Sequence, residues 1–423
     1  MLDQTTLLLA LARFMSAIGR LCLGPLLPLL TESLEFPEDA KPALLSAYSS
    51  GYILTQLGGG FLADQYGFGR IITAVTAISA GVLLYISLVA STAAEWTQAY
   101  FVLGIVAGPL FPAGSAAIAA NVPSAQRPAS AAIVDAAASA GTTVASLTPL
   151  IASQVFQGQW KMVFHMTAVG LAFVAVTVAT SFPSSTNSPD KNTSKHDEST
   201  TPEKLIQEEI LHHHQEQSTL SALLHPLHLL TYICHSVDNF SKYSINSWAA
   251  TMLVAQHQAS PALVGGILGL QEGVGVLSKV LVGILLGGTS ASRGMASAIG
   301  FGIQGFGLWM AFGAAMATEA GAFLLMSAIA VGSHSIGFRP IYVEGYHAGA
   351  VSGFGNSIAS FASVLGPLTI GTAVRPDGNK DWPMVAVWMF LVNMIGSLAA
   401  MGIAMMGRVE EAEKSSEGKN RQN

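Results

Sequence analysis

The stretch GYILTQLGGGFLADQYGFGR, residues 51–70, decides how the rest of the chain is read. An apolar run carrying Tyr52, Thr55 and Gln56 meets Gly58, Gly59 and Gly60. It then breaks at Asp64, turns at Gly67 and Gly69, and closes on Arg70 before the next apolar run begins. Small residues let helices approach closely in lipid. Asp64 and Arg70 fall at the polar boundary of such a run, where a charge costs little.

Outward from this stretch the composition agrees. The chain has 423 residues, of which 51% are hydrophobic and only 10% charged. Soluble proteins carry about 25% charged residues, so this is a membrane chain. The net charge of −6 says little about partners, because many charges lie in one polar segment. A spanning helix needs about 20 apolar residues. Runs of that kind lie near 6–30, 42–63, 70–91, 96–118, 129–155 and 161–182, and again near 225–254, 262–288, 294–316, 319–338, 347–374 and 384–407. Between the two sets lies 183–222, rich in Ser, Thr, Asp, Glu, Lys and His, which reads as a largely disordered linker with a short surface helix near 202–216. The expected division is an N-terminal six-helix bundle over 1–182, the linker over 183–222, a C-terminal six-helix bundle over 223–407 and a polar tail over 408–423.

Basic residues set the orientation. With both termini and the linker in the cytoplasm, the inner loops and tail collect Arg70, Arg127, Lys191, Arg293 and Arg408, against Lys41, Lys161, Arg375 and Lys380 outside. The first outer loop is acidic, with Glu32, Glu35, Glu38 and Asp39. The first apolar run is followed by further spans without a convincing cleavage site, so it reads as an anchor and not a signal peptide. Cys22 and Cys234 lie in apolar runs and read as free buried thiols, not a disulfide framework.

Gly60, Leu62, Ala63, Asp64, Gly67 and Arg70 resemble the loop signature between helices 2 and 3 of the major facilitator superfamily. Gln65, Phe68 and Gly69 depart from it where bases are usual. The preceding Gly51-Tyr52, Thr55-Gln56 and Gly59-Gly60 resemble the anion:cation symporter branch, which holds vesicular glutamate, sialic acid and phosphate-type anion carriers. The resemblance implies an all-α membrane protein of twelve transmembrane helices in two six-helix bundles. It would carry a small solute by alternating access, and Gly60, Asp64, Gly67 and Arg70 would steady one closed state. Further matches are Phe111-Pro112-Ala113 in span 4 and Gly353-Phe354-Gly355-Asn356 with Gly366-Pro367 in span 11. The arginine and glutamate of the family's helix 4 are absent; Tyr100 and Ala107 stand in their places.

A charge at mid-bilayer is costly and faces a cavity or a partner. Four bases fall within spans, Arg13, Arg20, Lys242 and Lys279, and three acids, Asp135, Asp238 and Glu272. Arg20 sits near the middle of span 1. Its string Arg20-Leu21-Cys22-Leu23-Gly24 resembles the helix-1 motif of the anion carriers, whose arginine contacts substrate. A guanidinium can hold a carboxylate or phosphate through two parallel hydrogen bonds; the structural alternative is a bridge to Asp135 or Glu272. Arg13 lies nearer the end of the span and could snorkel. In span 7, Asp238 and Lys242 share a face at i, i+4, as a bridge or as site residues, while Tyr243 and Trp248 are aromatics that could line a cavity. Glu272 and Lys279, two turns apart in span 8, could meet the charges of span 7. The candidate substrate residues are thus Arg20, Tyr52, Gln56, Lys242, Tyr243, Trp248, Lys279 and Asn356. Asp135, Asp238 and Glu272 are candidate proton carriers, since a carboxyl group in low dielectric holds its proton more readily.

Other chemistry is not indicated. His212, His213 and His214 form a solvated run without a second ligand cluster, and Gly302 to Gly307 lies in a span and not between strand and helix. No nucleophile triad or zinc spacing occurs, and bases are too sparse for nucleic acid. The expectation is a transporter of small organic or inorganic anions with no cofactor, metal or enzymatic activity, coupled or not to an ion. The alternatives are a carrier for a neutral solute such as a sugar, or a non-transporting sensor with the same fold.

Overall fold

In a computed structural model of the protein, residues 3–56, 59–123, 126–182, 221, 223–285, 290–313, 348–373 and 379–420 are described. Among them the chain is helical and forms no β-strand. The first half contains α1 (Gln4–Leu21), α2 (Leu23–Leu34), α3 (Lys41–Gln56), α4 (Gly59–Tyr66), α5 (Phe68–Leu88), α6 (Ala93–Ala107), α7 (Leu110–Asn121), α8 (Arg127–Ser146), the short α9 (Thr148–Leu150) with a π-turn over Ile151–Val155, and α10 (Lys161–Ser181). The second half contains α11 (Pro226–His257), α12 (Pro261–Leu285), α13 (Ser290–Gly313), α14 (Ala348–Thr372) and α15 (Trp382–Asn420). The expected span at 319–338 and most of the linker lie outside the described residues; every other expected span coincides with a helix or a broken pair of helices. Five of these runs are long and apolar enough to cross a membrane by length and composition: Gln4–Leu34, Phe68–Leu88, Ala93–Ile118, Lys161–Ser181 and Trp382–Val409.

Local chemistry starts and stops the helices. Asp3 caps α1, its carboxylate accepting from the Thr6 amide at 2.8 Å. Thr92 and Glu95 form a reciprocal capping box at the start of α6. Gly67 ends α4 with φ +85°, a conformation that a residue with a β-carbon resists, and this is the turn announced by the sequence signature. Breaks inside the spans were not expected. Spans 1, 4 and 5 are each divided, at Cys22, at Gly108-Pro109 and at Leu147, while span 2 is described as α3 and α4 on either side of 57–58. At Pro109 the missing N–H removes one rung of the helix ladder. Another difference is that α15 runs on to Asn420, through the segment expected as a tail.

Two ends of the bundle are defined by contacts. At one, Trp96 is fully buried against Phe36, Trp160 and Phe164, with ring centroids 5.5 to 5.8 Å away. At the other, Gln4 donates to Ser181 and the Phe68 and Phe182 rings meet at 5.3 Å. The two halves meet along a seam that includes the aromatic end. Gly24 of α2 lies against the Asn246 carbonyl of α11, where any β-carbon would collide with backbone. Pro42 of α3 packs on Gly371 of α14. Deeper along the same helices, Ser46 donates to the Val364 carbonyl at 3.3 Å and Ser360 donates to Gln56 Oε1 at 3.0 Å. Gly265 and Gly269 of α12 bed against Leu150 and Leu147. Val169, Phe173 and Val176 of α10 and Leu391, Ile395 and Leu398 of α15 are exposed on the outside of the bundle, as lipid-facing surfaces require.

Candidate functional site

Between the halves lies a cavity of about 120 Å³ with largely polar walls. Its floor is one face of α1. Arg13 and Arg20 are seven residues apart, two turns on one face, and Ser16 and Ala17 lie between them. Facing them are Tyr48 and Tyr52 of α3, Asp135, Ser139 and Thr142 of α8, and Lys242 of α11. The α8 residues recur at helical spacing, so that helix offers a carboxylate and two hydroxyls along a single stripe. The approach of α8 to α1 is permitted by Gly141, which lies against the Phe14 carbonyl and Ala17.

Arg20 is held by aromatic faces rather than by an acid. Its Cζ lies 5.5 Å from the Tyr48 ring centroid and 5.2 Å from that of Tyr243. Tyr48 belongs to the first half and Tyr243 to the second, so the guanidinium is clasped across the seam. The Tyr48 ring is in turn stacked on Tyr52 at 5.9 Å. A smaller cavity of about 30 Å³ continues past Arg20 beside Tyr243, Asn246 and Ser49. The bridge from Arg20 to Asp135 or Glu272 entertained for the sequence does not form. Arg13 rests over the Phe111 ring at 5.4 Å. In both arginines Nε is buried and hydrogen-bonds to nothing. A buried cationic donor without an acceptor is costly, so this face is chemically matched to an anion.

The remaining candidates separate by position. Tyr52, Lys242 and Asp135 reach the central cavity, and Tyr243 reaches its extension. Lys242 interacts electrostatically with Glu272 of α12, the helix expected to meet it. Asp238 is buried on α11 outside the cavity wall. Trp248 is a correction: it is fully buried, its indole N–H donates to the Pro367 carbonyl at 3.1 Å, and Lys380 lies 4.8 Å over its ring, so it braces α11 on α14 instead of lining the cavity. Gln56 is taken up by Ser360 across the seam, and Asn356 accepts from Ser360 through its backbone carbonyl; neither lines the cavity. The side chains of Lys279 and Asp64 lie outside the described residues, although their helices, α12 and α4, are placed. Gly60 is in α4, Gly67 forms its closing turn and Arg70 is exposed on α5. His212 to His214 fall outside the described residues, and among the described ones no cluster suits a metal ion. Cys22 and Cys234 are buried free thiols. Tyr100, at the place of a helix-4 charge, donates to the Gly19 carbonyl at 3.4 Å beneath α1.

Arg13, Tyr48, Ser139 and Thr142 also line the cavity and are not among the substrate residues expected from the sequence. The signal for Arg13 was its i, i+7 spacing from Arg20. The signal for the α8 hydroxyls was their spacing from Asp135.

The profile of the Major Facilitator Superfamily matches residues 9–367. The chain belongs to this superfamily. By family and fold it is an integral, multi-pass membrane protein. Two fly proteins, each named "Putative inorganic phosphate cotransporter", match in part. The one from Drosophila ananassae is 29% identical over 140 residues, 32% of this chain and 29% of the relative. The one from Drosophila melanogaster is 29% identical over 129 residues, 30% of this chain and 24% of the relative. The chain thus spans under a third of either relative in these matches. Solved structures agree in fold along nearly the whole length. A D-xylose–proton symporter superposes with a TM-score of 0.73 at 15% identity, covering 94% of this chain and 96% of the other. A bacterial homolog of the human lysosomal transporter Spinster, inward-facing and occupied, gives 0.66 at 14% identity, covering 95% and 94%.

Proposed function

We propose that this superfamily member is a secondary transporter of small anions, working by alternating access with the substrate in the cavity between the halves. The observation that carries the reading is the Arg20 guanidinium, clasped by Tyr48 and Tyr243 with a buried Nε lacking any acceptor. Two parallel hydrogen bonds to a carboxylate or phosphate would satisfy it. Lys242 adds a second positive charge from the opposite half, so an anion between them would draw the halves together. The partial likeness to proteins named for phosphate cotransport points the same way. Asp135 at the cavity and Glu272 beside Lys242 are the carboxylates best placed to carry a coupling proton, and sodium is the other coupling ion to test.

In this reading 1–182 and 223–407 are the two rocking bundles and 183–222 joins them. Both termini and the linker are cytoplasmic, and the aromatic end faces outward. Asp64 and Arg70 would steady a closed state at the cytoplasmic side without touching substrate. Replacing Arg20 by Ala should abolish anion uptake into proteoliposomes while leaving the purified protein monodisperse and folded; undiminished uptake would remove Arg20 from the site. A neutral solute is the second reading, favoured by the hydroxyls of Ser16, Ser139, Thr142 and Tyr52. Counterflow with labelled anions and sugars separates the two, and binding without exchange would indicate a sensor.

A further inference from the structure

Resting on Arg20 as the anchor of the proposed site, we infer that Tyr100 is its positioning residue: from α6 its hydroxyl holds the main chain of α1 beside Arg20 and so sets where the guanidinium lies. The break at Cys22 leaves carbonyls of the last α1 turn without their usual amide partners. The Cys22 amide takes the Ile18 carbonyl. The Gly19 carbonyl, in the residue before Arg20, accepts from the Tyr100 hydroxyl at 3.4 Å and from the Cys22 thiol at 3.8 Å. A buried carbonyl without a donor is costly in protein or lipid, so this side-chain cap fixes the last turn of α1 in place. Tyr100 also lines the small cavity that continues past Arg20.

Tyr100 is itself firmly held. It is fully buried and stacks on Trp96, with ring centroids 6.3 Å apart and an interplanar angle of 13°. One turn further along α6, Gly104 lies against the Tyr48 carbonyl of α3. The same helix therefore supports the backbone beside Arg20 and the backbone beneath Tyr48, and sets the spacing between the cation and one of its two rings. That spacing has little slack. Arg20 Cζ lies 5.5 Å from the Tyr48 centroid and 5.2 Å from that of Tyr243. The attraction of a cation to a ring reaches only about 6 Å, so a shift of α1 by about 1 Å would carry Arg20 out of range of one of them. A neutral phenol at the place of the family's helix-4 arginine does this work without adding a like charge beside Arg20.

The test labels the arginines of the purified full chain with phenylglyoxal and follows Arg13 and Arg20 separately by peptide mass spectrometry. It reads the guanidinium itself, so its outcome is independent of what the protein carries; the anion reading fails on a different result, undiminished uptake in Arg20→Ala. In Tyr100→Phe, which removes one oxygen and adds no bulk, Arg20 should react about fivefold faster, the worth of one hydrogen bond. Arg13, on the same helix and in the same cavity, should keep its wild-type rate. A donor restored on the ring by 4-aminophenylalanine at position 100 should slow Arg20 again, and 4-fluorophenylalanine there should not; this pair decides if Tyr100→Phe fails to fold. Equal acceleration of Arg13 and Arg20 would show a general loosening of α1, and an unchanged Arg20 would show that the hydroxyl holds nothing. Either result overturns the assignment.

Discussion

At the scale of single residues, the arrangement around Arg20 turns on two rings and no acid. A cation lying on a desolvated aromatic face gains up to about 2 kcal/mol. Tyr243→Phe keeps the face and should bind substrate nearly as wild type does. Tyr243→Leu loses it and should weaken binding roughly ten- to thirtyfold, measured as competition for counterflow; equal behaviour of the two variants would show that the hydroxyl or plain bulk is what matters. Arg20 itself was legible in the sequence, because an arginine deep in an apolar run has few tenable explanations. What holds it was not, since Tyr48 and Tyr243 lie 28 and 223 positions away and ring contacts leave no periodic trace. Trp248 shows the opposite failure. An aromatic on a helix buried on several sides has the same spacing whether it faces a cavity or a neighbouring helix, and here the Pro367 carbonyl settles the matter.

At the scale of the helix, spans were readable and their interruptions were not. Hydropathy averages over about 19 residues, so a break of one or two residues at Cys22 or Gly108-Pro109 vanishes in the window. Glycines were visible too, but their partners were not. Gly104 of α6 meets the Tyr48 carbonyl of α3, and Gly51 of α3 meets the Phe101 carbonyl of α6, a reciprocal fit that brings two backbones together. Gly104→Leu should cost about 3 kcal/mol or more by overpacking and would displace the helix that carries Tyr48 and Tyr52. The expected outcome is a lower melting temperature with loss of binding, whereas Gly81→Leu, where a β-carbon meets nothing within 4 Å, should leave both unchanged.

At the scale of the whole molecule, the two halves are joined at the aromatic end by close, mostly main-chain contacts. Pro42 and Gly371 touch across that seam, and the native thiols, Cys22 and Cys234, are buried. The double variant Pro42→Cys with Gly371→Cys should therefore cross-link under mild oxidant. The linked protein should lose exchange, regain it on reduction, and still bind substrate offered from the opposite face. Continued exchange in the oxidised, linked protein would mean that the seam does not part during the cycle. The overall bundle was evident from the sequence because lipid permits so few backbone solutions; which faces touch was not, because apolar runs of similar composition do not specify their partners. The seam at Gly24 and Asn246 has a further consequence. It is formed by a bare α-carbon against a peptide carbonyl, so under the proposed alternating access it would discriminate between shapes of the main chain and be indifferent to the cargo held deeper inside. In that reading selectivity would drift, or be redesigned, by exchanging side chains along α1 and α8 without retuning the movement that shuts the door.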